Sequence, residues 1–264
     1  MYLQLCECCG VASTARLCYQ CDMQREKRQP NELRSIQIQR GFTRFAPGSV
    51  LIRAGQTHVL CTASIDEAVP GWRESSGRGW VTAEYEMLPG ATPERRARSR
   101  TRVDGRTQEI QRLIGRSLRA VVDMAAMGPR TIYLDCDVLQ ADGGTRTAAI
   151  TGAYVALCDA LAQGHQRELW GADVLTAGVA AVSVGIVDGE LLLDLDYKED
   201  SSAAVDCNLV MTTAGQWVEV QATAERDAYS TEDMTRMMDL GRGGIEQLFG
   251  LQRAALESSG GEGD

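Results

Sequence analysis

The segment with the clearest chemical potential is Asp142–Thr147, Asp-Gly-Gly-Thr-Arg-Thr, which we call the anion loop. The residues before it (131–140) predict a strand, and those after it predict the start of a helix. Two glycines let the backbone approach a ligand closely, and free N–H groups at a helix N-terminus attract anions. Arg146 adds a planar cation suited to phosphate oxygens. The sequence therefore predicts an anion-binding site here.

A second set of charged residues could act with this loop. Arg106 stands at the N-terminus of a helix predicted over 107–127. Residues 191–200 predict a strand on which Asp194 and Asp196 share one face, opposite the leucines, with Asp200 just beyond. These carboxylates are simply solvated, or they bind Mg²⁺ or Mn²⁺, which prefer carboxylate oxygens. Two arginines plus a metal ion would balance charge that develops on a phosphate-centred transition state.

Between positions 90 and 112 the chain is locally basic, although its net charge is −9. This stretch holds seven arginines and three acidic residues. The overall charge argues against a uniformly basic nucleic-acid surface. The segment is either a solvated loop or, as we favour, an arm that grips a polyanion in a salt-dependent way. The residues of this arginine arm are Arg95, Arg96, Arg98, Arg100 and Arg102.

The N-terminus carries five of the nine cysteines within 21 residues. Cys6 and Cys9 form one CxxC pair, and Cys18 and Cys21 form another, so four thiolates could surround Zn²⁺ tetrahedrally. Cys8 could replace Cys9 as a ligand. The alternatives are a redox pair or an unstructured tail with reactive thiols. We expect a small zinc-knuckle-like module.

Other features exclude several classes of protein. The two histidines, His58 and His165, have no neighbouring Ser/Asp or Cys pattern, which disfavours Ser-His-Asp and Cys-His mechanisms. The nucleophile is therefore expected to arrive as a substrate. There is no apolar run of about 18 residues and no signal-peptide pattern, so we expect a cytoplasmic protein that does not enter membranes.

Hydrophobic patterning indicates an α+β fold with three parts. Residues 1–29 form the Cys-rich module and linker, 30–255 form the catalytic domain, and 256–264 form a disordered tail. Strands are predicted over 35–40, 49–54, 57–64, 131–140, 206–213 and 216–224, with a hairpin at Asp188-Gly189 between two more. Helices are predicted over 107–127 and 145–162, and Ser230 begins a last helix.

Many long segments in one order resemble the RNase PH family, from about residue 31 to residue 252. The clearest are Gly79–Tyr85, Gly105–Arg116, Leu134–Val138, Gln140–Thr147, Glu199–Ala203 and Val218–Gln221. The resemblance implies helices packed on mixed β-sheets with a left-handed βαβ crossover. It also implies a homo-hexamer, a trimer of dimers, in which arginine loops line the RNA path.

The resemblance further implies a phosphorolytic 3′ to 5′ exoribonuclease, which uses inorganic phosphate to trim tRNA precursors and releases nucleoside diphosphates. The reverse reaction adds nucleotides. Arg106, Gly144, Thr145 and Arg146 match phosphate-binding residues of the family. Asp194 and Asp200 match aspartates that support catalysis with a divalent metal. The arginine arm lies where the family's RNA-binding loop belongs.

The chain departs from the family pattern in its Cys-rich front, in a shortened entry at 28–31, and at Gly90 and Ala222. The alternative function is a non-catalytic RNA-binding ring subunit of an exosome-like assembly. Such subunits tend to lose the arginine and aspartate set, whereas this chain retains it. The sequence therefore favours an enzyme.

Overall fold

The computed structural model describes residues 25, 28–98, 104–171 and 174–258, and the four predicted zinc ligands lie outside these ranges. The described residues form two β-sheets. The first sheet has the strand order β1-β2-β3-β5-β4 and the second has the order β7-β6-β8-β9. The strands are β1 (Ile36–Arg40), β2 (Gly48–Ala54), β3 (Thr57–Asp66), β4 (Trp80–Met87), β5 (Thr131–Gln140), β6 (Val179–Val187), β7 (Glu190–Leu193), β8 (Val205–Thr212) and β9 (Trp217–Ala224).

Helices fill the space between and behind the sheets. They are α1 (Gly105–Arg119), α2 (Met124–Met127), α3 (Thr145–Gln166), α4 (Tyr197–Ser202) and α5 (Thr231–Glu257). Helix α3 contacts strands of both sheets, while α5 packs on the second sheet. Apolar and small residues occupy every face of α3, which is the pattern of a buried helix. The order of layers is therefore first sheet, α1 with α3, second sheet, α5, and the predicted α+β class is confirmed.

Strands β4 and β5 pair in parallel, with α1 between them in the chain, and all other strand pairs are antiparallel. This mixed sheet contains the βαβ unit that the family resemblance implies. The left-handed sense of that crossover stays a prediction. Among the described residues, no helix is both long and apolar enough to cross a membrane.

Two predicted elements are wrong in extent. The helix predicted over 107–127 is two helices, because the Asp123 side chain accepts the N–H groups of Ala125 and Ala126 and starts α2 anew. The strand predicted over 191–200 ends at Leu193. Asp196 and Glu199 instead form a reciprocal capping box that begins α4.

The predicted outer boundaries also change. Helix α5 runs to Glu257, so residues 256 and 257 are helical rather than part of a disordered tail. At the other end, Arg25 donates to the carbonyl of Leu193, and Arg28 donates to the carbonyl of Asp194. This part of the predicted linker therefore packs against the end of β7.

Close packing between β2 and α3 gives the first testable prediction. A Cβ atom added at Gly48 would lie 1.9 Å from the carbonyl oxygen of Ala156, which is helix backbone and cannot turn away. We predict that Gly48→Ala lowers the free energy of unfolding by about 3 kcal/mol. The control is Gly243→Ala in α5, where the added Cβ meets open space and alanine should stabilise the helix by up to about 1 kcal/mol. Denaturant titration measures both, and equal shifts would contradict the packing.

Candidate active site

The anion loop has the strand–loop–helix context that the sequence predicts. Strand β5 ends at Gln140 and α3 begins at Thr145. Gly143 and Gly144 adopt φ values of 73° and 61°, in the left-handed region that favours glycine. A Cβ on Gly143 would lie 2.5 Å from the backbone carbon of Asp196. The loop can therefore lie directly against the start of α4 because its glycines have no side chain.

Arg34 and Asp194 hold the loop from behind. Arg34 donates from Nε and from its backbone N–H to Asp194 Oδ2, at 3.1 and 2.8 Å, and from Nη2 to Oδ1 at 2.7 Å. Its Nη1 donates to the carbonyl of Asp142 at 2.6 Å. Burial alone would raise the pKa of Asp194, but the charge and hydrogen bonds of Arg34 hold that pKa below its ordinary value. Asp194 is thus an ionised, buried partner of Arg34.

Thr57, at the start of β3, fixes the same loop from the first sheet. Its Oγ1 donates to the carbonyl of Gly143 at 2.7 Å and accepts the N–H of Asp142 at 2.9 Å. The loop backbone is therefore held by two buried side chains, Thr57 and Arg34, that sequence reasoning did not identify. Their partners lie far away in the chain, so no local pattern marks them.

In front of the loop lies a cavity of about 610 Å³ that is lined by two unlike groups of residues. The first group, which we call the anion-binding wall, consists of Arg106, Gly144, Thr145 and Arg146. The second, which we call the carboxylate wall, consists of acidic and amide side chains: Asp200, Asp206, Asn208 and Glu225. Asp194 does not line this cavity. The structure thus brings the predicted arginines together with Asp200 and leaves Asp194 behind the loop.

Asp206 is a further site residue that sequence reasoning missed. It lies on β8, and its Oδ1 is buried without a hydrogen-bond partner among the described residues. Burial raises its pKa, and the neighbouring carboxylates of Asp200 and Glu225 raise it further. A signal was present, because Asp206 and Asn208 alternate along a strand that is otherwise apolar.

Asp200 faces competing influences. Burial raises its pKa, while the positive charges of Arg106 and Arg146 act in the opposite direction, and the net shift is upward. Asp200 follows Glu199, whose carboxylate lies 3.6 and 3.5 Å from the guanidinium groups of Arg25 and Arg28. These two arginines thus brace α4 from the side of the N-terminal linker.

Two polar neighbours fix the orientation of the Arg146 side chain. Its Nη1 donates to Glu109 Oε1 at 3.3 Å and to Gln221 Oε1 at 2.9 Å. Arg106 stands exposed in the first turn of α1, where the Asp104 side chain caps the helix. Both guanidinium groups therefore line the cavity from separate helix N-termini.

The described part of the arginine arm lies beside this cavity. Arg95, Arg96 and Arg98 are exposed, and Arg96 lines the cavity. Arg96 lies 3.9 Å from Asp104 as a loose surface ion pair. Arg100 and Arg102 fall outside the described residues.

The donor set fits Mg²⁺ or Mn²⁺ at Asp200 and Asp206. Within the described ranges, no cluster of three or more histidine, cysteine or acidic side chains is arranged to hold a metal ion. Mg²⁺ commonly takes only one or two carboxylates, together with waters and substrate phosphate. The unpartnered Asp206 Oδ1 beside a second carboxylate meets that requirement, whereas both oxygens of Asp194 already accept from Arg34.

Comparison with known families agrees with this geometry. Residues 32–163 match domain 1 of the 3′ exoribonuclease family, and residues 178–244 match its domain 2. The chain belongs to this family. It is 55% identical over 232 residues to Ribonuclease PH of Rhodococcus erythropolis, covering 87% of this chain and 89% of that relative. It is 56% identical over 227 residues to Ribonuclease PH of Moorella thermoacetica, covering 85% and 91%.

Solved structures share the fold. Rice Rrp46 matches with a TM-score of 0.71 and 19% identity, covering 88% of this chain and 99% of that chain. The Archaeoglobus fulgidus exosome with RNA bound to the active site also matches at 0.71, with 20% identity and 84% and 90% coverage. The family domain 1 match contributes the anion loop and Arg106, and the domain 2 match contributes Asp200 and Asp206. The cavity therefore lies where the two family domains meet.

The buried Asp194 and the half-buried Asp206 should change stability in opposite directions. Asp194→Asn leaves Arg34 buried without its countercharge, so we predict a loss of about 3 kcal/mol or more at neutral pH. Asp206→Asn removes an unpartnered carboxylate, so we predict a gain of roughly 0.5 to 1 kcal/mol. Denaturant titration in metal-free buffer measures both.

The pH dependence supplies the control for these two variants. The raised pKa of Asp206 means that its penalty develops as pH rises above about 4 and is complete above the folded-state pKa. The gain from Asp206→Asn should therefore vanish in acid. The lowered pKa of Asp194 means that its contribution is present above about 4 and is lost as pH falls through the folded-state pKa. Shifts of the same sign in both variants would contradict the assigned environments.

Proposed function

We propose that this chain is a phosphorolytic 3′ to 5′ exoribonuclease that trims tRNA precursors with inorganic phosphate and releases nucleoside diphosphates. The observation that carries the proposal is a single cavity that is lined both by Arg106, Thr145 and Arg146 and by Asp200 and Asp206. Identity of 55% to Ribonuclease PH over 87% of the chain supports the same activity. The reverse reaction would add nucleotides to an RNA 3′ end.

The anion-binding wall would hold inorganic phosphate as the nucleophile. Arg106 and Arg146 supply permanent charge, while Gly144 and Thr145 supply the free N–H groups of the α3 N-terminus. A phosphate oxygen attacks the phosphorus of the last phosphodiester, and the bond from that phosphorus to the 3′ oxygen of the preceding nucleotide breaks. The proton of the hydrogen phosphate passes to that 3′ oxygen. Positioning of the two phosphorus groups supplies most of the rate.

The carboxylate wall would hold the divalent metal ion through Asp200 and Asp206. Bound there, Mg²⁺ or Mn²⁺ would neutralise charge on the phosphate being transferred. We therefore assign Asp206, rather than Asp194, to the catalytic pair with Asp200. Asp194 takes a positioning role, because its partner Arg34 holds the backbone of the anion loop.

A product assay tests this function. With a 3′-extended tRNA, Mg²⁺ and phosphate, we predict nucleoside diphosphates, and Arg106→Ala should raise the KM for phosphate roughly tenfold or more because charged hydrogen bonds are lost. The control Arg253→Ala, at an exposed position on α5, should leave that KM unchanged. Monophosphate products, or release that is indifferent to phosphate, would reject phosphorolysis.

A second candidate is a non-catalytic RNA-binding ring subunit of an exosome-like assembly, because solved archaeal exosome structures share the fold. The presence of Arg106, Arg146, Asp200 and Asp206 in one cavity favours the enzyme instead. RNA binding without release of diphosphates in the same assay would decide for the subunit.

The arginine arm is proposed to grip the RNA backbone. We predict that replacing Arg95, Arg96 and Arg98 together with glutamine raises the KM for RNA and reduces the slope of log affinity against log salt by about 2. The KM for phosphate should change much less. Arg253→Gln serves as the control. A salt slope equal to that of the unchanged protein would show that these arginines contact no phosphates.

We also propose that Cys6, Cys9, Cys18 and Cys21 bind one Zn²⁺ and that the protein assembles as a cytoplasmic homo-hexamer. Removal of residues 1–24 should abolish bound zinc while retaining Arg25 and Arg28, which brace α4. Metal analysis of freshly reduced protein and light scattering measure zinc and mass. Zinc-free full-length protein would reject the module, and a monomeric mass would reject the hexamer.

A further inference from the structure

The hydroxyl group of Thr145 has a defined hydrogen-bond direction. Thr145 is the first residue of α3, is 7% exposed and lines the active-site cavity. The Tyr85 hydroxyl donates a hydrogen bond to Thr145 Oγ1 at 2.8 Å. One lone pair of Oγ1 is therefore occupied, and the threonine's own hydrogen remains available.

Tyr85 is a constant donor. It lies on β4, is 3% exposed, and its backbone carbonyl accepts from Gln111 on α1. Burial raises the pKa of Tyr85, so the phenol keeps its proton across the physiological range. The protonated phenol donates its hydrogen to Thr145 Oγ1.

The hydrogen of Thr145 has no protein acceptor within the described parts of the chain. The neighbouring Thr147 behaves differently, because its Oγ1 donates to the carbonyl of Gly144 at 2.9 Å. Thr145 instead shares its cavity wall with Arg106 and Arg146, which are donors only. The open direction for the Thr145 hydrogen is therefore the cavity.

We infer that Tyr85 is a positioning residue for phosphorolysis, which turns the Thr145 hydroxyl so that it donates to an oxygen of inorganic phosphate. This inference rests on the proposed function, since it names how that function's nucleophile is held. The result is a phosphate-binding wall composed of donors alone: two guanidinium groups, a helix N-terminus and one oriented hydroxyl. Such a wall favours a tetrahedral oxyanion that presents acceptors on every side.

A double-mutant cycle on inorganic phosphate binding tests this arrangement. The variants are Tyr85→Phe, Thr145→Val and the double variant, with calorimetric titration of phosphate and separate KM values for phosphate and RNA. Thr145→Val should weaken phosphate binding roughly tenfold or more, and Tyr85→Phe should weaken it roughly three- to tenfold. The KM for RNA should stay unchanged. In the Thr145→Val background, Tyr85→Phe should cost nothing more, because its partner is gone.

Two controls separate orientation from packing. Tyr154→Phe removes the hydroxyl of another buried tyrosine, on α3 and outside the cavity lining, and should leave phosphate affinity unchanged. Thr145→Ser keeps the hydroxyl and should retain affinity within about twofold, even if Tyr85→Phe fails to fold. Unchanged affinity in Tyr85→Phe or Thr145→Val, or additive losses in the double variant, would overturn the inference.

Calorimetry measures phosphate binding without RNA cleavage, so it distinguishes failure of this inference from failure of the proposed function. If the unchanged protein binds phosphate and the cycle behaves as expected, yet no nucleoside diphosphates appear, the Tyr85–Thr145 arrangement stands and phosphorolysis fails. If the unchanged protein binds no phosphate, the inference itself is overturned.

Discussion

The buried ion pair between Arg34 and Asp194 is the interaction on which the site depends. Arg34 lies just before β1 of the first sheet, whereas Asp194 lies just after β7 of the second sheet. Between them, Arg34 also binds the carbonyl of Asp142 in the anion loop. A buried pair of this kind is favourable only when its hydrogen bonds are complete, and here both carboxylate oxygens accept from Arg34. The pair therefore fixes the loop relative to both sheets before any ligand arrives.

A preformed loop matters because phosphoryl transfer depends chiefly on position. The glycine backbone and helix N-terminus of the anion loop are already in place, and any rearrangement of them during the reaction would slow it. In the same cavity, the half-buried Asp206 lies near the carboxylate of Asp200, and the pKa of each is raised. Two close carboxylates repel each other when no cation is bound. Such repulsion is usual in a site that is arranged to bind a cation. The carboxylates therefore lower the local stability of the fold, while the Arg34–Asp194 pair holds the anion loop and the two sheets in place.

Sequence reasoning succeeded where the signals were local. The strand–glycine–helix pattern of Asp142–Thr147 specifies its own backbone, so the anion loop was predictable in detail. The N-terminal capping box at Ser230 was predictable for the same reason. Asp194 was chosen as a site carboxylate both from the family resemblance and from a predicted strand that continued past Leu193. The left-handed φ of 54° at Asp194 and the capping box at Asp196 end that strand instead.

The roles of the other site residues depend on contacts with residues that are distant in the sequence. The role of Asp194 is set by Arg34, which lies 160 residues away, and no window of sequence contains both. Thr57 contacts the loop across 86 residues of sequence, and Tyr85 contacts Thr145 across 60. Asp206 was within reach of sequence reasoning, because strand alternation places it with Asn208, but pairing it with Asp200 required the packing of α4 against the second sheet.

The most direct test of the shared cavity is a crystal structure with inorganic phosphate and Mn²⁺ bound, using the anomalous signal of manganese to locate the metal. We predict one phosphate in contact with Arg106, Arg146 and Thr145 Oγ1, and Mn²⁺ bound by Asp200 and Asp206. Phosphate that touches only one of the two arginines, or Mn²⁺ bound at Asp194, would contradict the central claim.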